Sequence, residues 1–78
     1  MRYVKTLDIW AMSNPEVAKL QPGQWVKAGP FATATEYGRF WGIKQSGSVV
    51  VAWQGNARNR ANYQAYQRTL HNYAKSVD

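Results

Sequence analysis

The 78-residue chain contains no cysteine and a single histidine, His71. Without cysteine it forms no disulfide and offers no thiolate to a metal ion. One imidazole cannot supply a zinc site that needs two or more, so we expect no metal ion and no cofactor. A chain of this length builds one domain, 1–78, around a small core. Its stability must come from packing of its four Trp, five Tyr and two Phe, from self-association, or from both.

Long apolar runs are also lacking. The longest uninterrupted one is Val49 to Trp53, far short of the roughly 20 residues that span a bilayer. Residues 1–5 lead into no apolar segment of the signal-peptide kind. Together with the absence of cysteine, this predicts a cytoplasmic protein with no membrane association.

Carboxylates are scarce and scattered, which argues against catalysis. General acid–base chemistry needs a histidine or carboxylates held together, whereas the chain has only Asp8, Glu16, Glu36 and Asp78. His71 belongs to a polar stripe with Arg68 and Lys75 and is interpreted as a solvated surface histidine. Residues 42–47 contain Lys and Ser without a phosphate-loop pattern. We therefore predict that the protein is not an enzyme.

Alternating apolar residues and Gly/Pro punctuation predict four strands, over 3–9, 24–28, 39–45 and 48–54. Ser13 and Glu16 form a capping-box pattern that predicts a short helix over 14–20. Ser46 and Gly47 join the last two strands in a tight hairpin. In that hairpin, alternation places Trp41 and Ile43 on one face and Phe40 on the other, so both faces carry apolar side chains and the second face needs a cover.

A C-terminal amphipathic helix is predicted over 57–76, with Asn56 as its N-cap. Its apolar stripe consists of Tyr63, Tyr66, Leu70, Tyr73 and Val77. This stripe is expected to pack against the sheet, with Tyr66 and Leu70 buried, or to form a homodimer seam. The opposite stripe contains Arg68 and Lys75, which are expected to be exposed.

These elements predict an α+β domain: a small, bent antiparallel sheet or SH3-like barrel with the C-terminal helix on its open side. About 20 residues also resemble a KOW-type motif, found in ribosomal proteins and NusG-type transcription factors. The resemblance rests on Pro22 to Lys27, Gly29 to Phe31 and Gly38 to Phe40, with Gln24 standing where the family has an acidic residue. It implies an SH3-like barrel and a role with nucleic acid or polymerase, although many such barrels bind proteins.

The positive charge is concentrated in the second half of the chain. The protein has ten Lys and Arg against four Asp and Glu, a net charge of +6. Residues 39–77 carry no carboxylate and six cations: Arg39, Lys44, Arg58, Arg60, Arg68 and Lys75. Arg58 and Arg60 lie in the first turn of the predicted helix, where cations oppose the helix dipole unless an anion such as phosphate binds.

The leading hypothesis is therefore a small basic protein that binds DNA or RNA mainly through the backbone, as a transcription factor or a plasmid or phage accessory protein. The six cations would contact phosphates, and Trp41 or Phe40 would stack on bases of a single strand. The alternative is an adaptor or inhibitor that docks on an acidic protein surface. Weak salt dependence would favour the alternative.

Overall fold

The computed structural model describes residues 5–55 and 67–75. They form a small α+β fold of short strands and short helices. The strands are β1 (Leu7–Asp8), β2 (Trp25–Lys27), β3 (Tyr37–Ile43) and β4 (Val49–Trp53), and the α-helices are α1 (Asn14–Ala18) and α2 (Gln67–Leu70). Three short 3₁₀ turns, Ile9–Ala11, Ala34–Glu36 and His71–Tyr73, complete the element order. Within these two ranges no helix is long and apolar enough to cross a membrane.

The sheet is mixed, with strand order β1-β2-β3-β4. β2 pairs antiparallel with β3, and β3 with β4, as predicted, but β1 runs parallel to β2. The expectation of an all-antiparallel sheet is therefore wrong at this edge. α1 lies between β1 and β2 and returns the chain to the end of the sheet from which β1 started, which is the connection that parallel pairing requires. In the described residues β1 does not pair with β4, so the sheet is open.

α1 begins at the capping box that the sequence predicts. The Ser13 hydroxyl accepts a hydrogen bond from the Glu16 backbone N–H (3.4 Å), and a Glu16 carboxylate oxygen accepts one from the Ser13 backbone N–H (2.8 Å). The helix ends at Ala18, two residues before the predicted end. These bonds satisfy amide groups that the first turn of a helix leaves unpaired.

The predicted hairpin is confirmed. Gly47 adopts φ 93° in the turn between β3 and β4, a conformation that favours glycine. The two strands approach so closely at Gly38 that a Cβ there would lie 2.5 Å from the Ala52 carbonyl oxygen. Any side chain at position 38 would therefore push β3 away from β4.

One face of the sheet, here called the inner face, carries the hydrophobic core. It presents Val26, Phe40, Ile43, Val49, Val51 and Trp53, and the helical layer adds Ile9, Val17, Leu20 and Leu70. In the described residues, α1 and α2 both pack on this core and form a second layer beside the sheet. The opposite face of the sheet, the outer face, is not covered by α1 or α2.

The C-terminal segment only partly matches its prediction. Leu70 is fully buried and Arg68 is exposed, as expected. The helical conformation ends at Tyr73, because Ala74 turns to φ −50° and ψ 135°, and Tyr73 is 40% exposed. Residues 57–66, Tyr63, Tyr66 and Val77 lie outside the described residues.

Gln24 ties the N-terminal segment to the start of β2. Its side-chain amide donates hydrogen bonds to the carbonyl oxygens of Lys5 (2.9 Å) and Trp25 (3.0 Å). A carboxylate accepts but cannot donate. An acidic residue, such as KOW-type motifs have here, could not donate these bonds. Glutamine therefore suits this position.

We expect Gln24→Glu to lower the free energy of unfolding by about 1–2 kcal/mol, because two carbonyl oxygens lose their donor. Urea denaturation at neutral pH measures this. Gln21→Glu makes the same chemical change at an exposed position and is expected to shift stability by less than about 0.5 kcal/mol. Equal effects of the two variants would contradict the structural role of the Gln24 amide.

Candidate functional site

The outer face of the sheet is a patch of aromatic and basic side chains on three adjacent strands. Because side chains alternate along a strand, burial of Val26 directs its two neighbours outward, and burial of Phe40 does the same for its neighbours. The outer face thus presents Trp25 and Lys27 from β2, Tyr37, Arg39 and Trp41 from β3, and Val50 and Ala52 from β4.

Trp25 and Arg39 form the centre of this face. They are direct partners in the β2–β3 register, and the Arg39 guanidinium carbon lies 4.9 Å from the centroid of the Trp25 ring. This is a cation–π contact. It holds an exposed arginine over a half-buried ring, so the positive charge has a fixed position while its remaining N–H groups can still donate.

Trp41 is exposed on the outer face and lies at a β-bulge. The β3–β4 register passes from Phe40–Val51 directly to Gly42–Val50, so Trp41 is the extra residue on β3. The bulge lets both Phe40 and Ile43 point into the core, each fully buried, while Trp41 is 58% exposed. The prediction that Trp41 and Ile43 share a face is wrong for this reason.

Phe40 cannot stack on a base in this structure, and the prediction that it could is wrong. Its ring is buried among the core residues of the inner face. Of the two aromatic residues predicted to stack, only Trp41 lies on the outer face.

The three described carboxylates stabilise backbone turns. An Asp8 oxygen accepts hydrogen bonds from the backbone N–H groups of Trp10 and Gly29, each 3.0 Å long. Glu36 accepts one from the Thr33 N–H at 2.9 Å, and Glu16 caps α1. Hydrogen bonds from the Ser13 backbone N–H and hydroxyl lower the pKa of the Glu16 carboxyl below its ordinary value of 4.5. All three are therefore held in local capping contacts.

The predicted cations that lie in the described residues occupy different parts of the surface. Arg39 lies on the outer face, Lys44 is exposed just after β3, and Arg68 is exposed on α2 in the opposite layer. Arg58 and Arg60 lie outside the described residues. A surface that joins Arg39 to Arg68 would have to wrap around the edge of the sheet.

Lys75 is not a solvated cation, and its predicted exposure is wrong. Its ammonium group donates a hydrogen bond to the Leu20 carbonyl oxygen at 2.8 Å and lies 5.5 Å from the Phe40 ring centroid. Its backbone N–H donates to the Ile43 carbonyl oxygen, also at 2.8 Å. These contacts fasten the C-terminal segment to α1 and β3 on the inner side, so Lys75 holds the fold together there.

Trp25 and Lys27 were not among the predicted site residues. Alternation around Val26 already places them on one face, and the same periodicity places Arg39 with Trp41. The sequence alone does not show the strand register that sets Trp25 beside Arg39. It also does not show which side of the sheet α1 and α2 leave uncovered.

No protein-family model matches this chain, and no curated protein or solved structure is significantly similar to it.

Proposed function

We propose that the protein binds nucleic acid, with phosphate contacts made by the cations of the outer face and its rim. The observation that carries this proposal is the composition of the outer face, where Lys27 and Arg39 lie among aromatic rings. Of the described carboxylates, Asp8 is the register partner of Lys27 and offsets part of its charge, whereas β3 and β4, which include Arg39, contain no carboxylate. A basic surface attracts polyanions and speeds their association.

Lys44 extends this surface at the end of β3, and Arg58, Arg60 and Arg68 are proposed as further phosphate contacts from the second half of the chain. The KOW-type resemblance and an SH3-like arrangement of the strands are part of this proposal. The antiparallel pairing of β2 with β3 supports them, because it includes some of the residues that carry the resemblance.

Salt dependence tests the proposal. We expect wild-type protein to bind labelled DNA and RNA oligonucleotides at about 50 mM salt and to weaken steeply by about 200 mM, because binding releases counterions. Arg39→Gln should lower affinity for all sequences alike and reduce the salt slope by about one unit. Fluorescence anisotropy gives both quantities.

Lys19→Gln is the matched control. It removes one exposed positive charge from the end of α1, in the layer opposite Arg39, and should leave the slope nearly unchanged. Arg68→Gln reports whether the helical layer also contacts phosphate. Wild-type protein that binds no oligonucleotide at about 50 mM salt would overturn the proposal and favour docking on an acidic protein.

A further inference from the structure

We propose that the outer face is a stacking platform for single-stranded nucleic acid, on which the Trp25–Arg39 pair and Trp41 each hold one base. This inference rests on the proposed nucleic-acid binding and specifies the form of its ligand. The platform depends on bases stacking on aromatic rings, whereas the phosphate contacts proposed above depend on the cations alone.

Exposure of a large ring on a strand is the first reason. Trp41 is 58% exposed although a core next to it buries Phe40 completely. A tryptophan directed away from the core leaves much of its ring accessible to solvent, and a nucleic-acid base is a ligand that such a ring binds by stacking. Half-buried Val50 and exposed Ala52, from β4, form the apolar floor beside it.

The Trp25–Arg39 pair supplies the second position. A guanidinium is planar and stacks on aromatic rings and bases. The 4.9 Å contact with Trp25 orders Arg39 before any ligand arrives, so less side-chain entropy is lost on binding. Its charge also favours the phosphates of the strand that it contacts.

The spacing of the two positions selects a single strand. Arg39 and Trp41 are two residues apart on β3, which corresponds to roughly 7 Å along a strand. This is about twice the 3.4 Å rise per nucleotide within a duplex strand. Bases in a duplex are stacked on each other and paired, so they cannot reach both positions, whereas an extended single strand can place successive bases on them.

The outer face continues along the sheet beyond these two positions. Lys27 and Tyr37, which are partners in the β2–β3 register, continue the surface beyond Arg39 in the direction away from Trp41. A strand that follows β3 would therefore pass Trp41, the Trp25–Arg39 pair and then a lysine that can bind phosphate. Platforms that combine a basic track with aromatic rings bind single strands with little sequence preference.

The experiment compares single-stranded dT and rU oligomers of about 12 nucleotides, a length within the usual range of site sizes for small β domains, with a duplex of the same length. We expect wild-type protein to bind the single strands more tightly than the duplex. Trp41→Ala should weaken single-strand binding about 5- to 150-fold, the range for loss of one base stack. Its salt slope should stay unchanged, because no phosphate contact is removed.

Two further variants sharpen the result. Trp41→Phe keeps an aromatic face and should restore most of the lost affinity. Tyr73→Ala removes an aromatic ring that is 40% exposed, but Tyr73 lies in the 3₁₀ turn after α2, in the helical layer. It should change binding by less than about twofold. Thermal melts of each variant confirm that the fold is retained.

The possible failures are distinguishable. Binding that prefers duplex, or that Trp41→Ala leaves unchanged, overturns the platform while nucleic-acid binding stands. Equal losses from Tyr73→Ala and Trp41→Ala also overturn it, because the contact would then not be specific to the outer face. No binding to any of the oligomers at about 50 mM salt overturns the proposed function and the platform together.

Discussion

Replacing Phe40 with alanine is expected to lower the free energy of unfolding by about 3–5 kcal/mol, the usual cost of deleting a buried phenylalanine ring. Among the described residues, Phe40 is the largest side chain that is completely buried, and it packs between the sheet and the helical layer. Its ring also lies under the Lys75 ammonium group, at 5.5 Å. At about 0.05–0.15 kcal/mol per residue, a protein of this size has only about 4–12 kcal/mol in total, so this variant should unfold readily.

Chemical denaturation of Phe40→Ala beside Trp41→Ala provides the measurement and its control. The two residues are neighbours on β3, and the alternation of side chains along a strand directs them to opposite faces. We expect Trp41→Ala to change stability by no more than about 0.5 kcal/mol while reducing single-strand binding. A stability loss that is larger for Trp41→Ala than for Phe40→Ala would show that the inner and outer faces are assigned the wrong way round.

Replacing Leu70 with alanine is expected to cost about 2–5 kcal/mol. Leu70 is the only described residue of α2 that belongs to the core, and it is completely buried. The described C-terminal segment is also held at Lys75, through the hydrogen bonds to Leu20 and Ile43. Loss of Leu70 should therefore leave a cavity and loosen the helical layer at the same time.

Thr69→Ala is the matched control, because Thr69 is exposed on the same helix. It should shift stability by less than about 0.5 kcal/mol. Hydrogen exchange at the Lys75 amide, which donates to Ile43, reports whether the segment detaches before the sheet unfolds. A loss well below about 1 kcal/mol for Leu70→Ala would mean that α2 does not contribute to the core.

Several features followed directly from local sequence, because the interactions behind them span few residues. Ser13 and Glu16 are three positions apart, so their capping box forms within one helical turn. Gly47 provides the positive φ that the hairpin turn needs, and the runs on either side of it alternate as strands do. Burial of Leu70 and exposure of Arg68 were likewise readable from spacing along the helix.

Other features depended on contacts between distant residues. The bulge at Trp41 reverses the alternation for Ile43, and a single extra residue leaves no sequence pattern of its own. Lys75 looked like a surface cation because its spacing suited the polar stripe. Because the helical conformation ends at Tyr73, the Lys75 ammonium group instead reaches the carbonyl oxygen of Leu20, 55 positions away.

The same distinction between local sequence and distant contacts applies to the candidate site. The sequence by itself determined that the chain is basic, that its second half lacks carboxylates before Asp78, and that Trp41 lies on a strand. Only the tertiary structure decided that Trp25 lies beside Arg39 and that Phe40 is inside. The physical reason is that strand pairing and helix docking decide which face of a sheet meets water. The two-residue alternation of side chains along a strand is the same whichever face that is.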